Sequence, residues 1–418
     1  MKINLLNPPH EESLDTRLDP PLGLLYIAAV LKKEGYDVSV TDLNFHDMST
    51  WLDIIPWADI YGITVMTASL HHAVNLKEIV RIINPECRII VGGAHPTALP
   101  EEMIRLGFDA VVVGEGEGVI VEVIEYLKQG NRGAIFNSVD MDINSIPFPA
   151  REFVSIKEYT RLVNGNQATS IIASRGCPYE CAFCINSTKK SKVRFRETQH
   201  FINELKYLIT KYDFRSFMFL DDTFTVHPRL NYILEEISKL NITFRCNGNA
   251  RKDRLKLFKN LYHAGCREIS FGVESGSQKI LDLTNKGVTV EQNRIAISEA
   301  KEAGLIVRAY IMIGSPGESR ETVHETLKFI NETKPNLWTL FNFVPLPGCA
   351  IWNNPGQYGI NIITTDWRQY YNIAGKNIGG LTVETESMTA NDIAEARQYL
   401  LDNLPPQTGH LQNYFKKL

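Results

Sequence analysis

A chain of 418 residues is longer than one ordinary core organises, so two or three domains are expected. With 44% hydrophobic and 22% charged residues and a formal net charge of −4, it reads as globular, and nothing marks a nucleic-acid binder. An odd count of seven cysteines argues against a disulfide framework. The N-terminus carries one charge and a very short apolar run before its prolines, unlike a signal peptide. No stretch reaches the roughly 18–20 apolar residues of a membrane span, so a cytoplasmic protein is expected.

Residues 2–130 alternate short apolar runs with helix-period segments. Strands are predicted at 3–6, 38–43, 60–65, 88–91 and 110–113, and helices at 22–34, 70–83, 100–106 and 119–128. Such alternation means βαβ units and a Rossmann-like or flavodoxin-like parallel sheet, with ligands at the carboxyl ends of its strands. Those ends carry Asn7-Pro-Pro, Thr64-Val65-Met66-Thr67, Gly92-Gly93-Ala-His95-Pro-Thr97 and Gly114-Glu115-Gly116-Glu-Gly118. A dinucleotide fingerprint is not supported, because prolines stand where its glycines belong.

Residues 131–168 lack clear periodicity, and Ile146-Pro-Phe-Pro149 is a turn-rich connector between domains. Strands are then predicted at 170–173, 216–220, 243–246, 268–273, 307–313 and 338–343, with helices at 200–212, 229–240, 252–264, 291–303 and 320–333. Six such units make a partial (β/α)6 barrel of the TIM type over 169–348, whose chemistry belongs at the C-terminal strand ends. The tail, 349–418, contains Trp352, Trp367, Tyr370 and Tyr371, with a helix at 391–404, and is expected to cap the barrel mouth. Lys189-Lys190-Ser-Lys192 reads as a solvated loop, and Cys87, Cys246, Cys266 and Cys349 as buried thiols.

After the first barrel strand comes Ser174-Arg-Gly-Cys177-Pro-Tyr-Glu-Cys181-Ala-Phe183-Cys184-Ile-Asn186. Its C-x-x-x-C-x-x-C spacing fits a loop wrapped around one inorganic object. Thiolates are the ligands of iron–sulfur clusters, and three of them leave one iron open. A zinc site would want a second Cys/His pair at knuckle spacing, which the sequence lacks.

The loop resembles the signature of radical S-adenosylmethionine (SAM) enzymes. The resemblance implies that Cys177, Cys181 and Cys184 hold a [4Fe–4S] cluster, whose open iron binds SAM and whose electron releases a 5′-deoxyadenosyl radical. It further implies that Glu274, Ser275 and Arg308 contact SAM, that Gly314 leaves room for its adenine, and that Phe183 touches the same ring. Neighbours on a strand point to opposite faces, so one of Asp221 and Asp222 is expected to face the site. Asp221 is assigned as the ligand, the alternative being a strand end or helix cap.

The first domain is similar to the cobalamin-binding domain of cobalamin-dependent radical SAM enzymes. The matching pieces are Pro20-Pro21-Leu22-Gly23-Leu-Leu-Tyr26, Gly92-Gly93-Ala-His95-Pro-Thr97 and Val113-Gly114-Glu115-Gly116-Glu117. There is no D-x-H-x-x-G motif, so the resemblance implies cobalamin without a histidine lower ligand, its lower face meeting Thr64–Thr67. The function implied is methylation of an unactivated carbon of a small molecule using two SAM molecules. The alternatives are a cyclase or ring-rearranging reaction on the same cofactors, or a cobalamin-binding regulator. A flavodoxin or ferredoxin-type reductant is the expected partner.

Overall fold

The computed structural model describes residues 1–9, 15–187, 193–251, 257–371 and 380–408. The basic run at 189–192 and the start of the helix predicted at 252–264 lie outside the described residues. The chain forms two compact units, Met1–Thr160 with Asp366–Tyr370, and Arg161–Thr365 with Tyr371–Leu418.

In the first unit, strands β1 (Lys2–Asn7), β2 (Asp37–Asp42), β3 (Ile60–Thr64), β4 (Arg88–Gly92), β5 (Ala110–Val113) and β6 (Ala134–Asn137) form one parallel sheet in the order β2-β1-β3-β4-β5-β6. Between them run α1 (Leu22–Lys33), α2 (Trp51–Ile54), α3 (Leu70–Ile83), α4 (Ala94–Ala98), α5 (Pro100–Arg105) and α6 (Ile120–Lys128). Successive strand residues face opposite ways. Ile3, Leu5, Ile60, Ile90 and Val112 therefore join Ala28 and Leu31 of α1 and Val123 and Leu127 of α6 in one core. Leu6, Tyr61, Ile63, Ile89 and Val111 join Leu70, Leu76 and Val80 of α3 in another. Each fully buried Leu or Ile is worth about 1.5–3 kcal/mol, so a run with apolar residues on both faces has no stable place except between two helical layers. The edge strand β6 lies within the stretch that shows no periodicity in sequence. Only Ala134 and Phe136 of its four residues turn inward, too few for a pattern.

The second unit begins with a hairpin of β7 (Leu162–Val163) and β8 (Asn166–Ile171). Strands β11 (Ser216–Phe219), β12 (Thr243–Gly248), β13 (Cys266–Glu274), β14 (Ile306–Ile313) and β15 (Leu337–Asn342) follow β8 in parallel, giving the order β15-β14-β13-β12-β11-β8-β7. The six parallel strands are the predicted half barrel, and the short hairpin strand is the addition. A further pair, β9 (Ser174–Arg175) with β10 (Arg194–Phe195), closes the base of the cysteine loop. The helices are α7 (Thr198–Tyr212), α8 (Leu230–Ser238), α9 (Leu257–His263), α10 (Gln278–Leu283), α11 (Val290–Glu302) and α12 (Arg320–Thr333). Capping boxes set the starts of α11 (Thr289 with Gln292) and α12 (Ser319 with Thr322). The tail adds α13 (Ala350–Asn353), the antiparallel pair β16 (Ile360–Ile362) and β17 (Val383–Thr385), and α14 (Ala390–Asn403). No helix among the described residues is long and apolar enough to cross a membrane.

Candidate active site

The cysteine loop is fastened at several points. Beside the β9–β10 pair, the Ala173 N–H donates to the Asp221 carboxylate at 3.0 Å, and the Ser174 hydroxyl donates to it too. Further along, Ala182 N–H donates to the Thr284 carbonyl at 2.8 Å and Cys184 N–H to that of Cys181 at 2.9 Å. Asn285 Nδ2 donates to the Glu180 carbonyl at 2.9 Å. The three thiols are thereby brought to one cavity of about 260 Å³ at the C-terminal strand ends. None is in a disulfide. Burial raises the Cys181 thiol and pushes Cys184 up to about 11, so a metal must displace their protons to bind. Among the described residues no three His, Cys, Asp or Glu side chains are placed to hold a single ion. Three thiols round one cavity fit a cluster in which three irons each take one cysteine sulfur, and the donor set is that of an iron–sulfur centre.

Phe183 and Glu274 line the same cavity as the cysteines. Glu274 ends β13 with φ +63°, where the β13–β14 register shifts. Left-handed backbone is uncommon and strained for a residue with a long side chain. Its Oε1 pairs with Lys286 Nζ at 2.6 Å, and Lys286 also lies 5.6 Å from the Phe183 ring centre. Burial alone would lower the Lys286 pKa, but the Glu274 carboxylate holds it above its ordinary value. Gly272 makes room for this pair. A Cβ there would stand 2.7 Å from Lys286 Nζ and closer still to Glu274 Oε1.

Four predicted cofactor ligands, Asp221, Ser275, Arg308 and Gly314, are not among the residues that line this cavity. Asp221 is buried behind the cavity, spent on Ala173 and Ser174, while Asp222 lines the cavity and accepts from Asn186 Nδ2 at 3.1 Å. Ser275 is buried and its hydroxyl lies 3.0 Å from that of Thr326, stitching β13 to α12. Arg308 donates through Nε to Glu268 at 2.8 Å and reaches Thr339 at 3.4 Å. Glu268 also pairs with Arg245 at 3.1 Å, and these cations hold its carboxyl below the usual range although burial alone would raise it. A Cβ at Gly314 would meet Ile393 of α14 at 3.3 Å, so this glycine serves packing. Sequence reasoning places Thr223, Asn247 and Asn249 among the polar strand ends without giving them a role, and misses Lys286, Ser270 and Tyr310; all six line the cavity. Lys286 has no local signal.

In the first unit the sheet edge is built from backbone. Val65 N–H donates to the Gly92 carbonyl at 2.8 Å, and His95 N–H to that of Val65 at 3.1 Å. This closeness requires Gly93, whose φ of +110° and ψ of −165° suit glycine, and whose Cβ would lie 2.9 Å from Val65 O. Thr97 Oγ1 donates to the Gly93 carbonyl at 2.7 Å and accepts from Gly114 N–H at 2.9 Å, joining the ends of β4 and β5. A Cβ at Gly116 would meet Ile27 at 2.9 Å, so the Gly114-Glu115-Gly116 turn packs on α1, whose first turn is Pro21-Leu22-Gly23. Thr64 and the buried Val65 and Thr67 flank Met66, which is 48% exposed, and Gly23 faces open space. His95 does not offer its ring to a ligand. It is fully buried, with Nδ1 3.3 Å from Thr67 Oγ1, Nε2 3.2 Å from Glu102, and the Trp367 ring edge-on at 5.2 Å. Burial lowers its pKa and keeps it neutral. The edge offers backbone amides and hydroxyls, with the His95 ring turned inward.

A half barrel carrying three thiols at its strand ends defines a radical SAM enzyme. The Radical SAM superfamily matches residues 171–330, and the B12 binding domain matches residues 19–124. The uncharacterized methyltransferase PH0819 of Pyrococcus horikoshii is 30% identical over 406 residues, spanning 89% of this chain and 87% of that protein. The anaerobic magnesium-protoporphyrin IX monomethyl ester cyclase of Rubrivivax gelatinosus is 27% identical over 374 residues, spanning 81% of this chain and 66% of that one. Among solved structures, the radical SAM methyltransferase TsrM of Kitasatospora setae, with cobalamin and a [4Fe–4S] cluster bound, aligns with a TM-score of 0.73 over 98% of this chain and 92% of that one. At 17% identity that likeness is one of fold. The chain belongs to the cobalamin-dependent radical SAM enzymes.

Proposed function

We propose that the protein methylates an unactivated carbon of a small-molecule substrate. The carrying observation is the near-full-length match to a methyltransferase, combined with a three-thiol loop in the second unit and a B12-type sheet in the first. Cys177, Cys181 and Cys184 would hold the cluster, and Phe183 and Glu274 would line the place of SAM. The segments 21–23, 64–67, 92–97 and 114–116 would hold cobalamin. When bound, these groups supply reductive cleavage of SAM, hydrogen abstraction and a transferable methyl.

The chain's own part is to position and to exclude. Thr223 Oγ1 stands 3.8 Å from Cys177 Sγ and can donate to the thiolate. The Asp221 clamp holds the start of the cysteine loop, and the Asn247, Asn249 and Asn293 amides offer neutral donors and acceptors to a substrate. One-electron donors of the flavodoxin or ferredoxin type, and a cytoplasm that keeps the seven free thiols reduced, suit this chemistry.

The test is anaerobic reconstitution with iron, sulfide and hydroxocobalamin, followed by SAM, a reductant and mass spectrometry of the small molecules. Both 5′-deoxyadenosine and S-adenosylhomocysteine, with methylcobalamin present, are expected. 5′-Deoxyadenosine alone would favour the second reading, a cyclase-type reaction, which the 27%-identical relative supports.

A further inference from the structure

A second opening lies beside the cysteine loop. It is a groove of about 670 Å³ whose lining includes Pro178, Tyr179 and Glu180, the three residues between Cys177 and Cys181. Phe195, Val226 and Arg251 line it too. Tyr179 also lines the thiol cavity, so one side chain is a wall common to both.

Arg251 is built into this groove. Its backbone N–H donates to Asn249 Oδ1 at 2.9 Å, and its guanidinium carbon lies 4.2 Å from the Tyr179 ring centre. Gly287 gives it room, since a Cβ there would stand 2.5 Å from Nη2. Stacking uses the flat face of a guanidinium and leaves its edge of N–H donors for hydrogen bonds. Arg251 Nε is buried and has no hydrogen-bond partner among the described residues. Its acceptor must come from water or from a partner, and a carboxylate makes the stronger, charge-assisted bond. A Tyr–Arg stack ringed by Pro178, Phe195 and Val226 has the composition of an interface anchor.

We propose that this groove docks an acidic protein that donates single electrons to the cluster, with Arg251 pairing with a carboxylate on the donor's surface. This rests on the radical SAM reading. A substrate must bring its reacting carbon into the thiol cavity, whereas an electron can cross the Tyr179 wall from a donor that stays outside it. With a flavodoxin as donor, the anionic hydroquinone loses one electron and becomes the neutral semiquinone, and the oxidised cluster gains that electron. No bond breaks and no proton moves. Charge sets the expected pattern. Arg251 attracts an acidic donor, and Glu180, exposed on the same groove, repels it.

The experiment uses the full chain loaded with cluster and cobalamin, with iron and sulfide counted for every variant. Two reductants are compared anaerobically: a flavodoxin hydroquinone, and reduced methyl viologen, a small cation. Rapid-freeze electron paramagnetic resonance counts reduced cluster as reductant concentration is varied, giving a second-order rate constant for each. Arg251→Gln should lower the flavodoxin constant about 10-fold, the range of one charged hydrogen bond, and leave the methyl viologen constant unchanged. Arg251→Lys should restore part of the loss, and Glu180→Gln should raise the flavodoxin constant. Added salt should slow wild type with flavodoxin and bring it toward Arg251→Gln. Equal slowing of both reductants by Arg251→Gln, or of neither, overturns the proposal. If Arg251→Gln does not load a cluster, the other measurements decide: a flavodoxin constant unmoved by salt and by Glu180→Gln overturns it. A cluster-loaded wild type reduced by methyl viologen but not by flavodoxin also overturns it. One reduced by neither fails earlier, at the radical SAM reading itself.

Discussion

The two units finish their parallel strands in different chemical languages. In the barrel, the strand ends carry charge: the Lys286–Glu274 pair at 2.6 Å, Asp222, and the Arg245–Glu268–Arg308 cluster underneath. In the N-terminal sheet, the ends of β3 and β4 are joined through the Val65 backbone and those of β4 and β5 through Thr97, and the imidazole among them, His95, is buried with its pKa lowered by burial. The barrel pair satisfies its own charges in the interior, whereas the sheet edge is held mainly by backbone and hydroxyl contacts. Glycine therefore does a different task in each unit: Gly93 lets two strand ends meet, while Gly272 leaves space for an ion pair.

The sharpest break in this comparison is at the thiols. Cys184→Ala should abolish SAM cleavage and leave the iron and sulfide content well below wild type after reconstitution. The N-terminal sheet should keep its cobalamin, read from the visible spectrum. Loss of both would mean that the two units do not load independently.

Next in size is Gly93→Ala. Its backbone lies where essentially only glycine goes, and the new Cβ meets Val65 O at 2.9 Å. A cost of about 1–3 kcal/mol is expected, with weakened cobalamin retention. Thermal unfolding and cobalamin titration check this, and iron loading should be unaffected.

Asp221→Asn should cost about 1–3 kcal/mol, because its amide faces the Ala173 N–H that now donates to a carboxylate. The effect belongs to the loop's anchorage. Cluster loading should fall, whereas SAM affinity per loaded cluster should not. A change in SAM affinity alone would return Asp221 to the ligand role predicted for it.

The smallest effects are opposite pH slopes. Burial pushes Glu318, after β14, up to about 7, although the Thr322 hydroxyl and the Gly314 and Ser315 amides oppose it. Its folded form binds the proton more tightly than the unfolded chain. Its contribution is therefore full below about pH 4.3 and is lost as pH rises to about 7, at no more than about 1.4 kcal/mol per unit. His95 runs the other way. Burial lowers its pKa, so its contribution is full above about pH 6.5 and is lost as pH falls below that value. Melting temperatures of wild type against Glu318→Gln and His95→Gln across this range should diverge in opposite directions. Parallel curves would mean that burial does not hold both groups toward their neutral forms.

How much of this was legible beforehand follows from the range of each determinant. The alternation of strands and helices, and both sheets, were readable because apolar period and length are local. So was the cysteine loop, since a C-x-x-x-C-x-x-C run has little use except to surround a cluster. The glycine turns at 92–93 and 114–116 were legible for the same reason, a backbone requirement written in one residue type. The tertiary structure alone decided which side chains reach the cavity. Asp221 and Asp222 are equivalent in sequence, and the position of the Ala173 and Ser174 donors sends the first behind the wall and leaves the second on it. Arg308 is taken by Glu268, forty residues away in the chain. Lys286 reaches the cavity because its turn is tied to the cysteine loop more than a hundred residues earlier. The stretch Asp366–Tyr370 joins the first unit from the far end of the chain, laying Trp367 on His95 with its Nε1 bonded to Glu102. Charge pairing and side-chain direction depend on what folding brings near, and no local pattern encodes that.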